Sequence, residues 1–333
     1  MALNIYMEQS AVRDGVTAEE VKGILLGMAS GQETLLGYFR RFIRNFEKRV
    51  GINRTVGSLR AYSNAYSHIE RFLQAQYKLS DIPFSALDRS FIDKYDLYLR
   101  TERNLAPGTI INLTVQLKTI VGEAIADGVI TASPFMGYEP VRPKHVQKYL
   151  TAEELHRIMT TPLHRQTLYH VRDMFLFSCF TGIPYGDMRL LTKDNLCLAE
   201  DGIWWIKSAR QKTKIEFEIP LLDLPLQILK KYSGTAPGDK LLPMYCNSTL
   251  NLYLKEIARI CHIDRPLVFH AGRHTYATEI TLSHGVPLET VSRMLGHSQI
   301  ETTQIYAKVT DEKIDTDTKA LNRKISERFS VVI

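Results

Sequence analysis

From Thr34 to Ala126 the apolar residues recur at helical spacing and almost never alternate. Leu35, Phe39, Phe42, Ile43 and Phe46 stand three or four apart, so one helix face carries them, with Arg40, Arg41, Arg44, Lys48 and Arg49 among and after them. A second helix is predicted over Val56–Gln76, where Leu59, Tyr62, Tyr66, Ile69, Phe72 and Leu73 form the stripe. A third is predicted over Arg89–Asn104, ended by Leu105-Ala-Pro-Gly, and a fourth over Thr109–Asp127, stopped at Gly128. Four or five amphipathic helices of this kind make a compact bundle. Ahead of them, Thr17-Ala-Glu-Glu20 fits a capping box that opens a short helix.

The pattern breaks at Gly137–Lys148, which holds two prolines, Arg142, Lys144, His145 and Lys148 against one acid, Glu139. Such a stretch is a domain linker, read equally as plain solvated chain or as a basic tract that follows a phosphate backbone with Arg142, Lys144 and Lys148. Thr151-Ala-Glu-Glu154 then caps a new helix, and the apolar run Val171–Phe180 must be buried. Asn195–Leu198, Ile203–Lys207 and Ile215–Ile219 are predicted strands, the last alternating cleanly, and after Pro225 the pattern is helical again. The expectation is a mainly α chain: an extension over 1–32, a helical domain over 33–136, a linker over 137–149, an α-rich second domain with one small antiparallel sheet over 150–325, and a tail over 326–333. A helical stretch at Lys319–Phe329 ends in apolar Val331-Val-Ile333, which either docks on a neighbouring subunit or folds back.

Composition narrows the function. A chain of 333 residues can bury two cores, and 44% hydrophobic with 23% charged residues is ordinary for a globular protein. There is no apolar run of the roughly 18 residues a membrane span needs, and no signal-peptide core. Cys179, Cys197, Cys246 and Cys261 are widely spaced, which reads as reduced thiols of a cytosolic protein with neither disulfide nor metal. A net charge of +6 leans toward a polyanionic partner without deciding it. A phosphate-binding loop, a dinucleotide glycine fingerprint, a nucleophile elbow and an HExxH motif are all missing, so no cofactor is expected.

The chemistry concentrates near the C-terminus. His270-Ala-Gly-Arg273 places an imidazole and a guanidinium one helical turn apart, where the guanidinium can fork onto two phosphate oxygens and the imidazole can exchange a proton with a nucleophile. His270 and His274 have a metal-ligand spacing, but the cation Arg273 lies between them and no glutamate base accompanies them. Leu295-Gly296-His297 follows a helix predicted over Leu288–Leu295, with Gly296 as its C-cap. Ser298-Gln-Ile-Glu301 fits a capping box for a further helix, two turns along which stands Tyr306. A phenol of free pKa about 10 needs cationic neighbours to become a nucleophile. Upstream, Arg210-Gln-Lys212-Thr-Lys214 is predicted to occupy the turn between two strands: Lys212 is either an ordinary soluble turn residue or a general acid that reaches a DNA groove and protonates a leaving 5′ oxygen, with Arg210 and Lys214 as candidate DNA contacts. Singly, each of these residues is more often structural, and their joint order carries the reading.

That order resembles the tyrosine recombinase (phage integrase) family, through Phe180-Thr-Gly-Ile, Gln211-Lys212-Thr213, His270-Ala-Gly-Arg273-His-Thr-Tyr-Ala-Thr, Leu295-Gly-His297 and Gln304-Ile-Tyr306, over about residues 34–325. The resemblance implies a SAM-like core-binding domain followed by a catalytic domain of the DNA breaking-rejoining fold. It also implies a clamp on double-stranded DNA, a 3′-phosphotyrosine at Tyr306, catalytic roles for Lys212, His270, Arg273 and His297, and a Holliday-junction pathway in a tetramer, with accessory DNA-bending proteins as further partners. A cytoplasmic, nucleoid-associated protein would follow. Two departures stand out. The family's first-box arginine is Pro184 here, suited to a first helical turn, whereas the box's acidic position is kept as Asp187. The pattern resembles a branch carried by Bacteroidetes mobile elements and DNA-inversion systems. Arg172, Arg189 and Arg210 are candidates for the missing cation; Arg210 would share a strand face with Lys212 in a regular hairpin. Second, integrases of that branch often begin with a small arm-type DNA-binding module, of which residues 1–30 have room for the tail only; the expectation is that the chain either lacks the module or is a shortened form, which favours inversion or resolution over regulated integration. Two other readings remain: a DNA-binding protein that no longer cleaves, and a type IB topoisomerase without sequence choice.

Overall fold

A computed structural model describes residues 33–141 and 148–306, and beyond them 315, 318–319, 321–323 and 325. The Thr17–Glu20 box, Arg142, Lys144 and the end of the tail lie outside the described residues. The chain forms two compact units, divided between His145 and Val146.

The first unit is a bundle of α1 (Leu35–Glu47), α2 (Val56–Phe72), α3 (Arg89–Thr101) and α4 (Pro107–Ala126). Its start signals differ in kind. Asp88 caps α3 by accepting the Phe91 N–H at 2.8 Å, and Thr55 caps α2 by accepting from Ser58 at 3.1 Å. At α1 the preceding Thr34 makes no such bond; Asp81 accepts the Leu36 and Gly37 N–H groups at 2.8 and 3.0 Å instead. The predicted continuation of α2 is a π-helical turn, Leu73–Tyr77, closed by Lys78 in the left-handed conformation. Phe39, Phe72, Phe91 and Tyr95 are fully buried between the helices, each contributing about 1.5–3 kcal/mol through apolar burial.

In the second unit, α5 (Ala152–Thr160) begins with the predicted capping box: Glu154 N–H to Thr151 Oγ1, and Thr151 N–H to Glu154 Oε2. The apolar run lies within α6 (Gln166–Thr181), the central buried helix, whose Val171, Met174, Phe175 and Phe177 are sealed from solvent. A one-turn helix α7 (Tyr185–Met188) leads to β1 (Leu196–Leu198), β2 (Trp204–Ala209) and β3 (Glu216–Pro220), an antiparallel sheet in that order. Phe217 and Ile219 point into the core and Glu216 and Glu218 out of it, as the alternation required. Then come α8 (Asp223–Lys231), α9 (Asn247–Ile260), α10 (Ala271–Thr275) with a π-helical extension to Thr281, α11 (Leu288–Met294) and α12 (Glu301–Gln304). Among the described residues no helix is long and apolar enough to cross a membrane.

Two expectations fail locally. Ser298–Glu301 is not a capping box: Ile300 is the N-cap of α12, already in helical geometry (φ −66°, ψ −27°), and no side chain caps it. Tyr306 therefore does not stand two turns along a helix. It lies in the turn after the single turn of α12, its N–H donating to Thr303 O at 2.9 Å. Pro184 precedes α7 as its N-cap, one residue before the first helical position, and its carbonyl accepts from Asp187 and Met188.

Candidate functional site

The C-terminus of α6 makes the first wall. Gly182 ends the helix in the left-handed region (φ +69°), where an L side chain is strained. An added Cβ would also press into the Tyr276 ring and come within 2.8 Å of Leu295 Cδ2. With the chain turned there, the Gly182 carbonyl accepts from Arg273 Nη1 at 2.9 Å. Arg273, on α10, is only 3% exposed. Burial, then the neighbouring Arg210 charge, lowers its pKa to about 10, so it stays cationic at neutral pH.

The second wall is the end of α11. The Gly296 N–H returns to Arg293 O at 3.0 Å and the His297 N–H to Ser292 O at 3.1 Å, with Gly296 at φ +64°: a Schellman ending. The predicted C-cap glycine is thus in place, one residue beyond the C-cap Leu295. This ending leaves the Leu295 carbonyl free of the helix, and it accepts from Arg273 Nη2 at 2.7 Å and from Arg210 Nη1 at 2.9 Å. His297 follows directly, its Nε2 2.7 Å from Arg273 Nη2 and its Nδ1 2.7 Å from the buried Thr303 hydroxyl. Burial together with Arg273 and Arg210 pushes its pKa down to about 4.

Tyr306 is buried, and its phenol lies against the Arg273 guanidinium, helping to hold that group's charge. Its ring runs parallel to His297, centroids 6.4 Å apart, and meets His274 edge-on at 5.1 Å. His274 in turn meets His270 edge-on at 4.9 Å. The pair with metal-ligand spacing is therefore an aromatic ladder from His270 to Tyr306, a role for His274 that spacing alone did not suggest. Burial, then His270, Lys148 and Arg273, lowers His274 to about 4. His270 keeps an accessible edge, yet its packing and then Arg273, Arg210 and Lys148 also lower its pKa. Both rings are neutral bases at pH 7. Lys148, from the basic linker, is exposed near these two histidines.

The hairpin between β2 and β3 splits its basic residues. Arg210 turns inward: Nε pairs with Asp187 Oδ2 at 2.6 Å, and the side chain is 16% exposed. It does not share a face with Lys212, because the strand ends at Ala209 and the chain turns. Nor is it the outward DNA contact the sequence suggested. Asp187, 6% exposed, also accepts the Gln211 N–H at 2.8 Å, so one buried carboxylate fixes the base of the hairpin. Lys212 and Lys214 are exposed on its tip, Lys214 with φ +59°. The structure thus gathers Arg273, His297, Tyr306, His270 and Arg210 and leaves Lys212 outside the cluster. Of the other candidate arginines, Arg172 donates to Met159 O at 3.2 Å and lies over the Tyr169 ring, and Arg189 is exposed at the end of α7.

Comparison with known proteins accounts for most of the chain. The Phage integrase family matches residues 148–313, and the Phage integrase SAM-like domain matches 34–140. Tyrosine recombinase XerD of Listeria monocytogenes is 25% identical over 273 residues, covering 77% of this chain and 89% of its own length. The Tn1549 transposon integrase, solved in complex with transposon right end DNA, superposes with a TM-score of 0.67 at 19% identity, over 87% of this chain and 99% of that one. A lambda integrase tetramer bound to a Holliday junction gives 0.68 at 16%, over 91% and 86%. At these identities the two structures speak for the fold.

Proposed function

Since the chain belongs to the tyrosine recombinase family, we propose that it cuts and rejoins double-stranded DNA at a specific site, with Tyr306 as the nucleophile. The observation that carries the reading is the Tyr306 phenol lying against a buried, cationic Arg273 that two carbonyls and His297 hold in place.

In this reaction the Tyr306 hydroxyl attacks the scissile phosphorus. A phosphorus–oxygen bond forms to the phenol and the bond to the 5′ oxygen of the next nucleotide breaks, leaving the DNA 3′ end on the protein. His270, a neutral base at pH 7, takes the phenolic proton, and His274 keeps the tyrosine ring in register with it. Arg273 stabilises the charge that builds on the non-bridging oxygens, in a pocket where the guanidinium is already oriented and dry. Lys212 supplies the proton to the leaving 5′ oxygen once DNA brings the hairpin tip over the phosphate; the base of that hairpin is pinned through Asp187, so only the tip needs to move. Lys148 and Lys214, both exposed, serve as backbone contacts, and Arg142 and Lys144 extend that role along the linker. Attack by a 5′ hydroxyl from a second duplex reverses the chemistry and joins new partners. Because bond energy stays in the phosphotyrosine, no nucleotide cofactor is needed.

A full exchange needs four such sites. The tetramer that lambda integrase forms on a Holliday junction supports the same assembly here. A protein doing this work acts in the cytoplasm, on the nucleoid.

The test is covalent capture. The protein is incubated with genomic fragments, denatured, and the DNA left attached is sequenced. Recovery of one recurring sequence by the wild type and of nothing by Tyr306→Phe supports a site-specific recombinase. Attachment scattered without sequence preference would favour a topoisomerase, and no attachment by the wild type would favour a DNA-binding protein that does not cut.

A further inference from the structure

We infer that the cavity beside His270 is a nucleobase pocket: one base next to the scissile phosphate leaves the duplex stack and is held there by Asn247 and Asn251. This rests on the proposed cleavage reaction and adds to it a place where one base of the substrate is read.

The cavity, about 230 Å³, lies within the second unit. α7 lends it Tyr185 and Gly186, α9 lends Asn247 and Asn251, and His270 stands in its wall. Pro184 and Val268 make up the rest, so no side chain of the lining carries a fixed charge. His270 is neutral at pH 7, because burial and then the cations Arg273, Arg210 and Lys148 hold its pKa down. A phosphate would find no countercharge in this lining. An uncharged ring with polar edges would find amides and an aromatic face. The volume falls below the roughly 300–1,000 Å³ of sites for drug-sized ligands, which suits one base and not a whole nucleotide.

The amides are arranged for such an occupant. Asn251 is half-buried, and its Oδ1 accepts the Phe269 N–H at 2.7 Å. That bond settles which end of the amide is which, and Nδ2 is left a donor without a partner among the described residues. Asn247, one turn earlier on the same face of α9, is exposed and makes no side-chain hydrogen bond among the described residues. Gly186 points the same way for a different reason. It lies inside α7 without a left-handed φ, where alanine is the better helix former. A Cβ there would meet nothing closer than Gln211 Oε1 at 3.5 Å, an ordinary contact. Neither backbone nor packing asks for glycine, and what it keeps is open space. Beside it, the Tyr185 ring is set edge-on against Phe269 at 6.1 Å, so an entering base meets a fixed aromatic face. His270 follows Phe269 directly, which puts the pocket next to the group that takes the phenolic proton. The competing view is a solvent-filled notch that DNA covers without entering.

Substrates that lack one base decide between them. Nicked duplexes bearing the captured site are made with an abasic residue at each nucleotide adjoining the scissile phosphate in turn, and adduct formation is timed. A wild type that forms no adduct on the intact site overturns the cleavage reaction, and this assignment falls with it. Given an adduct, loss of one particular base should slow the wild type about 10- to 100-fold. Asn251→Asp keeps the acceptor for the Phe269 N–H and removes the donor, and Asn247→Ala removes an exposed amide that no bond of the described fold uses. Each variant should be slower on the intact site and lose little more on that abasic substrate, because the contact is already gone. A general effect of the new carboxylate would instead slow both substrates alike. Restoring the base opposite a mismatch should speed the wild type severalfold, since a base freed of its partner leaves the stack more easily. Abasic sites that leave the wild type unaffected or slow the variants as much, or a mismatch that slows the wild type, would overturn the assignment.

Discussion

Arg273 Nη2 and His297 Nε2 are 2.7 Å apart, and only one proton arrangement permits this. A guanidinium is a donor only, so the imidazole nitrogen facing it must be the acceptor. His297 is then neutral and carries its proton on Nδ1, which donates to Thr303 Oγ1 at 2.7 Å. Thr303 is buried, so this second bond holds the ring in place and fixes the tautomer from behind.

The expected spectroscopic outcome is direct. In ¹⁵N-histidine NMR of the DNA-free protein, His297 should show a protonated Nδ1 and a bare Nε2, and should not titrate until the pH approaches about 4. A ring that titrates near 6.5, or carries its proton on Nε2, would contradict the arrangement.

Stability should follow the same groups. His274 and His297 both have native pKa values near 4, against 6.5 when unfolded. Between those values the unfolded chain binds protons that the native chain refuses. Stability is therefore fully present above about pH 6.5 and falls as the pH drops toward 4, by up to roughly 1.4 kcal/mol per pH unit for each ring. Urea unfolding at pH 7, 6 and 5 measures this slope. His274→Phe, which keeps an aromatic ring against His270 and Tyr306, should flatten it; an unchanged slope would exclude His274 as a source.

Gly182 is the tightest point of the site. With φ +69° and Leu295 Cδ2 2.8 Å from any added Cβ, Gly182→Ala should cost about 2–4 kcal/mol, combining backbone strain with overpacking. It should also lower the cleavage rate, because the Gly182 carbonyl anchors Arg273. Denaturant unfolding of the variant within 0.5 kcal/mol of wild type, a threshold of roughly the scatter for harmless surface changes, would refute this account of the turn.

Much of this was legible in the sequence, for identifiable reasons. The helices of the first unit, the alternation that buries Phe217 and Ile219, and the Gly296 ending all depend on short-range spacing, which one chain displays. His270 and Arg273 share α10 and its boundary, so their association was local too. What stayed hidden is long-range or made of backbone. Asp81 caps α1 from forty-five residues away, Asp187 reaches Arg210 across a strand pair, and the Leu295 carbonyl has no side chain to advertise it. Ser298 misled because the chain turns helical at Ile300, moving the N-cap beyond its hydroxyl.

Lys212 offers a test of the leaving-group step. Lys212→Ala should slow cleavage of a normal duplex by about 10²–10⁴-fold. With sulfur in place of the bridging 5′ oxygen the leaving thiolate needs no proton, and the variant should recover most of the wild-type rate. An equal defect on both substrates would show that Lys212 acts through binding and not as the acid.

The most direct test of the whole account is the residue that carries the DNA. The captured complex is digested with nuclease and trypsin, and the peptide that retains a deoxynucleotide is identified by mass. The expected result is a 3′-phosphodeoxynucleotide on Tyr306 and no adduct from Tyr306→Phe. A nucleotide found on another side chain, or an adduct that survives removal of this hydroxyl, would contradict it.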